Sequence, residues 1–488
     1  VTARVLVISL DSAEPLLLQA WVDQGGLPAI GSLIRNGQSQ RIENLPGFGN
    51  GVFWPSLYTG TDPSHHGGYY LSQLTPPTYS LEPFYKHDYL LPPFWRTLED
   101  EGFDVAVIDP IESPTGNLSR GVEIMDWIVH RREAEPTSTP PSLIDEFLDR
   151  YGDDPFGGNI DRTVRIGTRP EELSDISQQR IARKTKAAID LLDKREWDLL
   201  MVNFSDPHDL GHMTWHLHEG NAGSSAASNE GNPLWNCLHH LDRAVAELMS
   251  KAGTDAQTFL ITGPGMERNV SANLLLPEIL RGLHGKSRAG PLRAVGNLNR
   301  AIAHSELLPW RFRKWFMMQR ARVGLKTQAS SGRPYASVPH NDNAGAVRFN
   351  LIGREPNGVV PAEHYEALSD ELSAKLLGMR DASGDKPAVA KVVKIREMFS
   401  GPALDRLPDL MVVWNRDADL SSVSSPHFGE VRRKDILDRT GDHSTRGIVV
   451  SDRAFECSAS GPISPMDVTP ILLEAVQTAG AVRSATAP

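Results

Sequence analysis

A three-layer α/β/α sandwich built on a mostly parallel sheet is the fold this sequence predicts, and three observations predict it. Short apolar runs bounded by polar residues recur at 5–10, 105–108, 199–204 and 259–262, the pattern of strands buried on both faces. Helix-length segments at 16–35, 178–192 and 234–252 lie between or beside them, and that alternation places helices on the faces of a sheet. Three of the runs lead into acids, at Asp11, at Asp109 and, one residue later, at Ser205-Asp206. In sheets of this kind ligands gather at the carboxyl ends of the strands.

Further along, strands are expected at 346–352, 389–393, 410–414 and 447–450, and a last helix at 465–476. The expected organisation is one catalytic α/β domain formed by 1–279 and 341–480. It is interrupted by a basic helical cap at 280–340 and carries a smaller loop-rich excursion at 110–177, where Pro, Ser, Thr and charge dominate around 133–141.

The chain has 488 residues, 40% of them hydrophobic and 23% charged, which supplies ample material for a core. Fifty basic against 61 acidic residues give a net charge of -11, which argues against nucleic acid as partner. The balance is uneven: 281–326 holds eleven Lys or Arg and one acid, +10, and leaves -21 for the rest. At its centre, WRFRKWFMMQRAR (310–322) interleaves aromatics with cations. Such a stretch suits a cap packed on its own domain, an acidic partner or an anionic membrane surface. Two cysteines, with no CxxC spacing, build no disulfide framework. No run reaches the ~18 apolar residues of a membrane helix, and the expected location is the cytoplasm.

The segment richest in chemistry is NFSDPHDLGHMTWHLH, residues 203–218, directly after a buried strand. His208 and His212 are four apart, as are His212 and His216, and on a helix that spacing puts imidazoles on one face. Paired imidazoles are a familiar route to a divalent cation, Zn²⁺ above all; the blander reading is a His-rich surface turn. A distant third ligand is available in GDHSTRG (441–447), where His443 lies in a glycine-flanked turn.

Six stretches occur in one order along the chain: VLVISLD (5–11), WPSLYTGTDPSHHG (54–67), DPHDLGH (206–212), NLIGREPNG (350–358), GDHSTRG (441–447) and MDVTPILL (466–473). With them the sequence resembles the alkaline phosphatase superfamily, nearest its type I phosphodiesterase/nucleotide pyrophosphatase branch. The resemblance implies two metals and a Ser, Thr or modified Cys nucleophile. Asp11 matches the first acid of one metal site, and His212 and His443 match the two histidines of the other.

Departures from that pattern are as informative. Counting back from Thr59-Gly60 puts Asn50, in PGFGNGVF (46–53), at the nucleophile position. An amide offers no hydroxyl or thiol to activate. Where relatives carry Ser-Asp-His-Gly, this chain has TGPG (262–265), and His208 stands where the other site expects an acid, with Asp206 and Asp209 beside it.

The expected metal set is therefore His208, His212 and His443, with Asp11 and Asp206 as further ligands. Three imidazoles with an open position would supply hydroxide without a protein nucleophile. Asn50, Asp11 and Asp209 are then the catalytic candidates, as oxyanion donor and as base or orienter. His340, Asn341, Asn343, Trp215 and His216 are candidates for the substrate rim. The leading function is a metal-dependent hydrolase acting on an anionic small-molecule ester. A non-hydrolytic metal-assisted biosynthetic enzyme on the same scaffold and a catalytically degenerate binding protein are the alternatives.

Overall fold

The computed structural model describes residues 3–130, 132, 134–157, 169–219, 231–284, 332–341, 344–433 and 439–486. Eight strands make the main sheet: β1 (Ala3–Asp11), β2 (Gln38–Glu43), β3 (Val105–Ile108), β4 (Val122–Met125), β5 (Thr137–Thr139), β6 (Trp197–Phe204), β7 (Gln257–Gly263) and β8 (Arg446–Ser451). Their spatial order is β2-β8-β7-β1-β6-β3-β4-β5. The five from β7 to β4 are parallel. β8 runs antiparallel to β7 and β2, and β5 antiparallel to β4.

β1 shows why the short apolar runs are strands. Leu6, Ile8 and Leu10 point into one core, shared with helices α1 (Pro15–Asp23), α2 (Pro28–Asn36), α4 (Pro170–Lys194) and α6 (Pro233–Ala252). Val5 and Val7 point into a second core, against α3 (Asn50–Thr59) and α7 (Val468–Thr486). Each fully buried Leu, Ile or Val contributes roughly 1.5–3 kcal/mol, so both faces of the strand must be covered by helices. The mixed α/β sandwich with a mostly parallel central sheet is thus the observed fold.

The helix expected over 16–35 is two helices. Gly25 has φ +77°, and a Cβ on Gly26 would lie 2.2 Å from the Trp235 ring, so the chain turns where only glycine fits. The expected strands at 346–352, 389–393 and 410–414 do not enter the main sheet. Ala344–Phe349, Val389–Lys394 and Leu410–Trp414 join Tyr335–Val338 in a separate four-stranded antiparallel sheet. The excursion at 110–177 carries β4, β5 and the helix Leu143–Tyr151. Of the basic stretch, 285–331 lies outside the described residues. Among the described residues no helix is long and apolar enough to cross a membrane.

Candidate metal centre

Three chain segments converge at the carboxyl edge of the sheet. Asp11 ends β1, and Ser12 follows with φ +58°, a left-handed turn that aims its hydroxyl back over the edge. Helix α5 (Asp206–Glu219) starts two residues after β6 and carries His208 and His212 one turn apart. The short strand Gly441–His443 brings in His443.

One ring nitrogen from each of His208, His212 and His443 lies within 4.8 Å of the others, and all three side chains are buried. Their proton inventory is specific. His212 Nδ1 donates to the Gly441 carbonyl at 2.8 Å, and His208 Nδ1 donates to Asp11 Oδ2 at 2.9 Å. Both Nε2 atoms therefore carry lone pairs, yet they face each other at 3.1 Å. Two acceptors at that distance repel unless a proton or a metal cation lies between them. Nitrogens bound tetrahedrally at 2.0–2.1 Å stand roughly 3.4 Å apart, so the donor set fits one small divalent ion. Burial holds His212 and His443 well below the usual imidazole range, and the neighbouring Arg439 and histidines push the same way. Neutral imidazoles are the ligand form.

Asp11 takes the orienting place among those expected for it, not that of a metal ligand. Its Oδ1 accepts from Trp54 Nε1 at 3.0 Å and Ser12 Oγ at 3.2 Å, and its Oδ2 is taken by His208. It orients an imidazole from behind instead of joining the converging nitrogens. Ser12 Oγ also lies 3.3 Å from the Nδ1 atoms of His208 and His443. Asp206 is likewise outside the group: its carboxylate faces Arg180 Nη1 at 3.5 Å, and burial pushes it up to about 6. The first turn of α5 points it below the cluster.

The TGPG turn at the end of β7 is closely packed. A Cβ on Gly263, whose φ is +139°, would come within 2.4 Å of the Phe53 ring, and one on Gly265 within 2.2 Å of Glu14 Oε2. Glu14 in turn accepts from Arg446 Nε at 2.7 Å and Ser444 Oγ at 2.8 Å.

A cavity of about 290 Å³ opens over the histidines, lined in part by Asn50, Gly51, Glu112, His130, Asn341 and Arg439. Asn50 begins α3, its Nδ2 3.5 Å from His208 Nδ1 and its buried Oδ1 without a hydrogen-bond partner. Asn341 reaches this wall because residue 49 is glycine; a Cβ there would fall 1.5 Å from Asn341 Nδ2. The other rim candidates are elsewhere. His340 is buried against Tyr69 and Tyr70 and held near 4 by that burial. Trp215 packs in the core against His218, and His216 turns outward to Thr440 Oγ1. Asn343 lies outside the described residues.

A second cavity of about 390 Å³ adjoins the first, with Tyr70, Phe84, Tyr85, Tyr89, Ile111 and Met125 in its walls. Gly51, Glu112 and His130 line both. Sequence reasoning missed His130, Glu112, Arg439, Ser12 and Arg180. His130 and Glu112 sit singly in loops of the excursion, and Arg180 has the look of one more cation on a charged helix, so no spacing marks them. Asp209, expected near the reacting atoms, instead binds His130 Nδ1 at 2.7 Å and Arg180 Nη1.

The fold and site define an α/β protein with a buried three-histidine centre at the carboxyl edge of its sheet. The type I phosphodiesterase / nucleotide pyrophosphatase family matches residues 5–444, and the chain belongs to that family, within the alkaline phosphatase superfamily. Among solved structures it is similar to phosphonoacetate hydrolase from Sinorhizobium meliloti 1021 in complex with phosphonoformate, at 17% identity and TM-score 0.57 over 98% of this chain and 96% of that one. The phosphonoacetate complex matches at 16% identity, with the same score and coverage. Human ectonucleotide pyrophosphatase / phosphodiesterase 5 aligns at 10% identity and TM-score 0.48, over 97% of this chain and 95% of that one. No curated protein matches by sequence. At such identities the structural likeness speaks for the fold alone. Family membership supports metal-dependent hydrolysis of a phosphorus ester as the general activity.

Proposed function

We propose that the protein hydrolyses an anionic small-molecule phosphorus ester by direct attack of water, at one divalent cation held by His208, His212 and His443. The observation that carries this reading is the convergence of ring nitrogens from three buried histidines, two of them Nε2 atoms 3.1 Å apart, beside a nucleophile position occupied by Asn50. Three imidazoles favour Zn²⁺. When bound, the cation supplies Lewis acidity and brings the pKa of water at the site to ~7.

The chain's own groups then divide the work. Asn50 Nδ2 and the backbone N–H groups at the start of α3 donate to non-bridging oxygens as charge builds on them. Arg439 and Asn341 line the same cavity and hold the anion there. Asp11 fixes the tautomer of His208. The substituent of the ester extends past Gly51 into the aromatic-walled cavity.

The test combines metal analysis with product labelling. About one zinc per chain is expected, lost in His212→Ala and His443→Ala, with hydrolysis of aryl phosphodiesters lost in parallel. Water attack in one step inverts a chiral phosphorothioate diester. Turnover by metal-free protein, or retention of configuration, overturns the proposal.

A further inference from the structure

His130 is built into the site more firmly than a loop histidine needs to be. Its ring stacks on His208 with centroids 3.7 Å apart and planes at 23°, and it forms part of the wall between the two cavities. Its Nδ1 lies 2.7 Å from Asp209 Oδ1. Asp209 follows His208 on α5, so the ~100° step of the helix turns it away from the three-histidine cluster and under His130. Its other oxygen is 2.5 Å from Arg180 Nη1. Arg180 has no solvent-exposed surface, and its Nε is 3.2 Å from Asp154 Oδ1. Acid, guanidinium and acid thus brace one another beneath a single imidazole.

A carboxylate at Nδ1 keeps a proton there and leaves the lone pair on Nε2, at the opposite edge of the ring. We infer that His130 is the general base for the attacking water, with Asp209 as its positioning residue and Arg180 holding Asp209 in place. The inference rests on the hydrolytic reading above and deepens it. With Asn50 at the nucleophile position, no side chain attacks, and water must shed a proton as it does so. The water oxygen forms its bond to phosphorus while the bond from phosphorus to the ester oxygen breaks, the electron pair leaving with that oxygen. The water's proton passes to His130 Nε2, and the imidazolium so formed is stabilised by Asp209, which stays ionised. The departing alkoxide takes a proton from bulk water, and His130 returns its own to bulk.

The experiment uses zinc-loaded full-length protein and an aryl phosphodiester reporter. His130→Ala should lower kcat by about 10²–10³-fold, with zinc content and KM within about threefold of the parent protein. Free imidazole should restore part of that rate in a saturable way. Asp209→Asn should lower kcat by about tenfold or more and show no imidazole rescue, because its ring is still present. His130→Gln checks the loss in a side chain of similar size. A kcat within threefold of the parent in both His130 variants, zinc lost in both, or a loss that imidazole leaves untouched would assign His130 to packing and overturn the inference alone. A zinc-loaded parent protein inert towards phosphodiesters overturns the hydrolytic reading, and this inference with it.

Discussion

Asp11 Oδ2 stands 2.9 Å from His208 Nδ1, while Trp54 Nε1 holds the other oxygen of the same carboxylate at 3.0 Å. The acid that the family resemblance assigns to a metal serves here as the acceptor behind one imidazole of the three-histidine cluster. Asp11→Asn removes the charge that fixes the His208 tautomer. Zinc affinity should fall about 10–100-fold, read by competition with a chromogenic chelator. Unchanged affinity would show that Asp11 does not orient His208.

Asn50 is expected to act as a donor only. Asn50→Ala should reduce kcat by about 10²-fold, the usual cost of one oxyanion donor, and leave zinc content unchanged. Asn50→Asp should be at least as damaging, since it sets an anion against an anionic substrate. Rates within threefold of the parent in steady-state assays would rule out the donor role.

Gly51 sits where the two cavities meet, and a Cβ there would touch Glu112 Oε2 and the Tyr69 carbonyl, each at 3.2 Å. Gly51→Val should narrow the passage. The ratio of kcat/KM for an aryl diester over a dimethyl diester should drop about tenfold, equivalent to ~1.4 kcal/mol. An unchanged ratio would place the ester substituent outside the aromatic-walled cavity.

Stability should depend on pH through His66. This buried ring accepts from the Gly68 N–H at Nδ1, 3.2 Å, and its Nε2 meets Ser56 Oγ at 3.1 Å. Burial lowers it from 6.5 to about 3. The unfolded chain binds this proton below pH 6.5 and the folded chain does not, so its contribution is complete above that pH and fades as pH falls. Between pH 7.5 and 5 the loss is about 2 kcal/mol. Urea titrations should show a loss about 2 kcal/mol smaller in His66→Gln than in the parent protein; equal losses in the two would remove His66 as a cause.

The parts of this structure legible in the sequence are those set by periodicity and local spacing. Val5 to Leu10 alternate between two cores, and a strand so covered has to read as one apolar run. His208 and His212 meet because four residues are about one helical turn. His216 obeys the same spacing but rotates past the edge of the cavity, since a helix on a flat sheet turns only part of its circumference to the site. Asp11 and Asp206 could be named, although their orientation depended on Trp54 and Arg180, which are distant in sequence. His130 and Arg439 were invisible for the same reason. Their significance comes from loop paths across the sheet edge, and no local pattern records such a path.

Phe53 also bears on how this centre could change. An acid introduced at position 263 meets a backbone at φ +139° and an aromatic ring 2.4 Å from its Cβ, while a residue at 265 displaces Glu14 from its partners. A side chain at 263 is therefore accommodated only together with a smaller residue at 53. The packing of one phenylalanine acts as a ratchet: it makes side chains at 263 hard to reach by single substitutions.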